Sequence, residues 1–189
     1  MSQTPTGCIT LDASTPCGPA YAGWPVPDYP GAENYHNVAD FSKFVTENWG
    51  GTNKQFQSFV TSQGCTASNI SGQQSLRYQM SFWCSFIVTD ALKYSNLPNC
   101  RAPANKVPAS IMPCADKCTL AGDTLRSFFD SSACGLTTDA KINNDRTAAV
   151  NLIRQHCSTT VATAIGRNPG SCLNGIPVEE PNCGEYSID

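Results

Sequence analysis

Eleven cysteines, spread from Cys8 to Cys183, limit what this chain can fold into more than any other feature. Thiols at such density persist only where they can be oxidised. The stretch Ile111–Cys118, IMPCADKC, sets out the alternatives, because it places two cysteines four positions apart behind a proline. A structural zinc site wants four cysteine or histidine ligands in close pairs. Cys114 and Cys118 could supply one pair, but the other close pair, His156-Cys157, is adjacent and poorly placed to chelate, and His36 stands alone. Redox proteins favour CxxC beside a parallel-sheet pattern, whereas this is CxxxC without one. A nucleophilic thiol needs a nearby base, and the chain has only two histidines. Disulfide staples remain. On a helix, positions i and i+4 share a face, so Cys114 and Cys118 point the same way and reach different partners on one neighbouring segment. Each closed loop contributes ~2–4 kcal/mol by restricting the unfolded chain.

Composition removes several functional classes. The 189 residues suit one domain, and a net charge of −3 with 14% charged residues leaves lysine and arginine scattered singly. Without a basic stripe to neutralise phosphates, nucleic acid is excluded as a partner. No apolar run is long enough to cross a bilayer; the best candidate, MSFWCSFIVTDALKY, is interrupted by Ser81, Ser85 and Asp90. The first residues, MSQTPTGC, lack the basic end and apolar centre of a secretory signal. The expectation is a mature secreted chain whose signal has been removed, with Met1 supplied for expression. Asn69-Ile70-Ser71 is a glycosylation sequon that suits such a glycoprotein. No GxSxG, HExxH, phosphate-binding or dinucleotide loop appears, so neither an enzyme nor a cofactor is implied. The carboxylate pair Glu179-Glu180 reads as a solvated face of the tail.

The chain divides into a proline-rich strap (1–35), a helical cysteine-rich region (36–166) and a tethered tail (167–189). Five prolines fall between Pro16 and Pro30, and proline fixes φ and lacks a donor, so the strap should be irregular and extended. Tyr21, Trp24 and Tyr29 would glue it to the body. From Asn37 the period becomes helical, with Val38, Phe41, Phe44, Val45 and Trp49 on one face and Gly50-Gly51 as the stop. Phe56, Phe59 and Val60 mark a second helix ending at Gly64. A third runs from a capping-box pattern, Ser71 with Gln74, to about Lys93. The loop RAPANKVPASIMP should be non-helical. Ala115, Cys118, Ala121, Leu125 and Phe128 form a fourth helical face, and Ile142, Ala149, Val150 and Ile153 a fifth, opened by Thr138. The tail, rich in proline and glycine, is tied down by Cys172 and Cys183. The architecture expected is mostly α: a small disulfide-stapled helical domain with long proline-rich straps.

Read as a framework, the cysteines have a familiar order. Cys8 is followed by PCGPAY around Cys17, Gly64-Cys65, FWCS around Cys84, PNC at Cys100 and PCADKC from Pro113 to Cys118. This resembles the Frizzled-type cysteine-rich domain, including its divergent relatives in fungal stretch-activated calcium-channel subunits, over roughly residues 8 to 134. The resemblance implies bridges joining Cys8 to Cys100, Cys17 to Cys84, Cys65 to Cys134, Cys118 to Cys157, and Cys114 to Cys172 or Cys183. One departure is the gap of fifteen residues between Cys118 and Cys134, where the family has a short one. The eleventh cysteine is either free or available to a second chain, which would make a homo-oligomer.

Such domains are, as a rule, non-catalytic extracellular receptors for lipid-modified proteins, or carriers of apolar small molecules. The third helix suits that role. Leu76, Met80, Trp83, Ile87 and Ala91 form one stripe with Cys84 at its edge, while Tyr78, Phe82 and Phe86 lie nearly opposite. A helix apolar on two sides is either central or offers its second row to something else. Phe82 and Phe86 therefore either pack under a proline strap or line an apolar groove shared with Phe41, Phe44 or Phe128. Trp24, Trp49 and Trp83 read by default as core. The expected function is a secreted recognition module for a lipid-like ligand or an extracellular protein. The alternatives are a self-assembling surface or matrix protein, a secreted effector and, least, a thiol-dependent hydrolase.

Overall fold

The structure, a computed structural model, describes residues 4–29, 35–49, 54–66, 77–106, 111–132, 134–157, 172, 173, 175 and 179. About half of these lie in five α-helices: α1 (Val38–Trp49), α2 (Lys54–Ser62), α3 (Gln79–Leu92), α4 (Ala115–Phe129) and α5 (Ala140–His156). Two strands, β1 (Gly7–Thr10) and β2 (Pro25–Asp28), and a 3-10 turn at Pro19–Tyr21 between them complete the set among the described residues. The helices start where local chemistry supplies acceptors for their orphan N–H groups. Asn37 Oδ1 accepts from Asp40 N at 2.9 Å at the head of α1. Asp139, one residue past the expected Thr138, caps α5 by accepting from Lys141 N at 2.8 Å.

The strap departs from expectation. It is not irregular throughout, because β1 and β2 form an antiparallel ribbon pairing Cys8 with Pro27 and Thr10 with Pro25. Prolines are tolerated in β2 because this two-stranded ribbon is all edge. Cys8 N donates instead to Pro98 O at 3.0 Å, and the ribbon is held beyond its prolines by Leu11 N to Trp24 O at 2.9 Å. β2 packs on α3, and Tyr21, Trp24 and Val26 enter a core with Phe41, Val45, Met80, Cys84 and Val88. The Tyr21 hydroxyl lies 2.8 Å from Ile111 O and 3.0 Å from Ser81 O, donating to one or the other. Tyr29 donates to Asp90 at 2.6 Å.

A second core lies on the far side of α3. Phe56 and Val60 of α2 meet Phe82, Leu125, Phe128, Phe129, Val150 and Ile153 there, with α4 and α5 packed as a pair. Gly122 permits the close approach of that pair, since a Cβ there would lie 2.6 Å from Arg154 Cγ. Ala115, expected on the inward face of α4, is exposed at its first turn.

α3 begins later than the Ser71 capping box implied. Tyr78 is left-handed (φ 56°), so no helix runs through it, and its side chain caps nothing; Ser71, Gln74 and Leu76 lie outside the described residues. The missing cap comes from the tail. Glu179, expected to be solvated, is fully buried, and its carboxylate accepts from Met80 N at 2.7 Å, Ser81 N at 3.2 Å and Ser81 Oγ. A helix N-terminus favours an anion, which is what rewards this burial. The tail is held by more than its cysteines: Leu173 pairs with Pro113, Leu173 N donating to Met112 O at 2.8 Å and Cys114 N to Leu173 O at 2.9 Å.

Five disulfides cross-link the described residues: Cys8–Cys100, Cys17–Cys84, Cys65–Cys134, Cys114–Cys172 and Cys118–Cys157. They are the pairs the resemblance implies, with Cys172 as the partner of Cys114. Cys183 and the Asn69 sequon lie outside the described residues. Cys114 and Cys118 do reach different partners, but on two segments rather than one, because Cys114 precedes α4 as its N-cap. Five such bridges fit a protein of an oxidising, extracellular compartment, and no described helix is long and apolar enough to cross a membrane.

Besides Glu179, a second buried charge was not anticipated. Arg146 of α5 is 5% exposed and donates to Gln63 O (3.0 Å), Gly135 O (3.1 Å) and Cys134 O (3.3 Å), with its guanidinium 5.4 Å above the Phe129 ring. It thus clasps the same two loops that Cys65–Cys134 joins. Arg146→Met should lower stability in urea unfolding by about 3 kcal/mol, because three carbonyls lose a charged donor. Arg146→Lys should recover only part of this, lacking the planar fork.

Candidate functional site

Between α1, α2, α3 and α5 lies a cavity of about 450 Å³ whose lining side chains, among the described residues, are apolar or aromatic. Each wall follows from helical spacing. α2 contributes Phe56 and Phe59 at i and i+3; α3 contributes Phe82, Trp83 and Phe86; α5 contributes Ala149, Leu152 and Ile153 at i, i+3 and i+4; α1 contributes Phe44 and Trp49. Trp49 and Trp83 stack with centroids 5.3 Å apart, and Phe44 meets Trp49 edge-on at 5.3 Å. Phe82 meets Trp83 at 5.2 Å, and Phe86 meets Trp83 at 5.9 Å. Leu152 is 60% exposed and Phe86 36%. These two residues therefore mark where the cavity opens to solvent.

Of the residues read from the sequence as a groove, Phe44, Phe82 and Phe86 line this cavity together. Phe41 and Phe128 do not. Phe41 is fully buried against Tyr35 in the core beneath the strap, whereas Phe44, which also touches Tyr35, is only half-buried and reaches Trp49 at the cavity wall. Phe128 is buried against Phe56 and Phe129 in the other core. The described part of the N-terminal strap covers the opposite side of α3 through Met80, Cys84 and Val88, away from Phe82 and Phe86. Of the tryptophans, Trp24 and Trp49 are core and Trp83 packs against both cores, and Trp49 and Trp83 also form cavity wall. Sequence reasoning missed Leu152 altogether. The signal available was its spacing from Ala149, which continues an apolar row of α5 beside the inward-facing Val150 and Ile153.

One polar pair adjoins the cavity. His156 packs on Phe82 (5.0 Å) and Phe86 (5.6 Å), and its Nε2 lies 3.1 Å from Ser85 Oγ. Ser85 Oγ also lies 3.2 Å from Met112 Sδ. A serine beside a neutral imidazole is half of a nucleophilic arrangement. Among the described residues, however, no carboxylate bonds the other ring nitrogen, and Ser85 is fully buried within α3. The pair satisfies buried polar atoms. Among the described residues no cluster of three histidine, cysteine or acidic side chains could hold a metal ion.

The class that fold and site define is a small, disulfide-rich helical domain carrying an apolar cavity. No protein-family model, characterised protein or solved structure matches the chain.

Burial holds the His156 imidazole below its ordinary range, at about 4, and the Lys93 ammonium acts in the same direction. The folded protein thus excludes a proton that the unfolded chain takes up below about 6.5. Above that pH His156 has no effect on stability; as pH falls from about 6.5 towards 4 it opposes folding, by about 3 kcal/mol in all. In urea titrations across this window, the wild type should lose more stability than His156→Gln. A pH-independent difference between them would contradict the assignment.

Proposed function

We propose that this chain is a secreted, non-catalytic recognition module of Frizzled-like type that takes up the apolar part of a ligand between α1, α2, α3 and α5. The observation that carries this reading is the cavity whose described lining is aromatic and aliphatic, with exposed Leu152 and Phe86 at its mouth. Its size lies in the range of small-molecule sites. A wall whose described side chains are aromatic and aliphatic selects for hydrophobic bulk, an alkyl chain or a fused ring system, and each methylene transferred from water contributes about 0.8 kcal/mol. The Frizzled-like component is supported by the five disulfide pairs, which follow the order that the resemblance implies. The same bridges support export to an oxidising compartment.

Titration with a fluorescent fatty acid should give saturable binding with quenching of Trp49 and Trp83. Ala149→Phe, which fills the cavity from α5, should weaken binding at least about tenfold, a loss of 1.4 kcal/mol, while circular dichroism stays unchanged. Linear, non-saturating uptake, or equal affinity in a correctly folded Ala149→Phe protein, would overturn the lipid-binding reading. Light scattering and non-reducing electrophoresis separate it from covalent self-assembly through Cys183, which would yield disulfide-linked multimers.

A further inference from the structure

The five disulfides are not equally open to attack. Cys8, Cys17, Cys65, Cys84 and Cys100 are buried, as are Cys114, Cys118 and Cys157, and Cys134 is half-buried, so access to this set comes through one sulfur only. Cys172 is exposed. Thiol–disulfide exchange needs access to the attacked sulfur, and it is faster when the departing sulfur is the better leaving group. The partner of Cys172 is suited to leave. Cys114 is the N-cap of the fifteen-residue α4, with an extended backbone (φ −62°, ψ 151°), so negative charge on its sulfur develops at the positive end of a helix. The acidic residue of that first turn, Asp116, pairs with Lys117 Nζ at 3.2 Å, which offsets its repulsion of a neighbouring anion.

We propose that Cys114–Cys172 is a thiol-exchange site, opened by a dithiol reductant while the other four bridges stay closed. A thiolate of the reductant attacks Cys172 Sγ; the bond between the two protein sulfurs breaks, and Cys114 departs as a thiolate. The second thiolate of the reductant then attacks its own sulfur in the mixed disulfide, becoming a cyclic disulfide and releasing Cys172 as a thiolate. Two electrons pass from reductant to protein, and the liberated thiolates take protons from solvent. Residues 8–157 remain cross-linked by four bridges throughout. What loosens is the tail bearing Leu173 and Glu179, and with it the carboxylate that caps α3.

The test uses the native full chain exposed to dithiothreitol without denaturant, quenched at intervals with iodoacetamide, and mapped by peptide mass spectrometry. Cys114 and Cys172 should acquire label together, at least about tenfold faster than any other pair. Equal or faster opening of one of the other four bridges, or simultaneous opening of all five, would overturn the proposal. In protein opened only at this pair, labelling of Cys114 should persist to lower pH than labelling of Cys172. The reverse order would remove the role given to the head of α4. Neither readout involves the apolar cavity, so the outcome is independent of ligand binding.

Discussion

The rest of this fold depends on α3 being apolar on two sides. Met80, Cys84 and Val88 commit one side to the strap and α1, while Phe82 commits the other to α2, α4 and α5. A helix that apolar on two sides is stable only if other elements enclose it, and the strap is the enclosing element. This explains why a segment rich in proline carries fully buried Tyr21 and Trp24. It also explains why Cys17, within that strap, is bridged to Cys84 at the centre of the helix. The strap is therefore part of the core.

The head of α3 joins distant parts of the chain. Glu179 supplies the anionic cap from ninety-eight residues beyond Ser81, and Gln79 Nε2 donates to Trp49 O at 3.4 Å. Tyr21, whose hydroxyl approaches Ser81 O, has its ionisation suppressed by burial and by the charge of Glu179, so it stays a donor beside the carboxylate. Tail, strap and the end of α1 thus converge on one helical turn. Phe82 and Trp83, which line the cavity, follow directly from that turn.

What could be read from sequence was whatever repeats with a short period. The faces of α1, α2 and α5 follow from spacings of three and four residues, and the two-sided character of α3 was visible in Met80 and Cys84 against Phe82 and Phe86. Three of the cavity residues, Phe44, Phe82 and Phe86, were accessible by that route. Partners set by long-range closure were not. Nothing near Glu179 signals a distant uncapped helix, and a carboxylate pair in a proline-rich tail reads as solvated. Arg146 sits in a polar stretch of α5, and only the carbonyls of two remote loops make its burial tolerable. Pro25 and Pro27 argue against a strand unless the strand is known to be an edge. The placement of Phe41 and Phe128 shows the limit of periodicity: it identifies an apolar side chain without saying which of two neighbouring cores receives it.

An apolar space of this kind would ordinarily be lost, because helices free to slide close over unfilled volume and recover dispersion contacts. Here the walls are restrained away from the cavity itself. α3 is held through Cys84, α5 at its C-terminus through Cys157, and the end of α2 through Cys65, three residues past Ser62. Arg146 adds a second clasp between α5 and the loop after α2. The bridges act on the unfolded chain by limiting its entropy, so they stabilise the fold without requiring that Phe59, Phe86 or Leu152 be fully packed. Stability taken from covalent closure leaves part of the aromatic surface unfilled in the native state. That division of labour is what allows so small a core to keep an open apolar site.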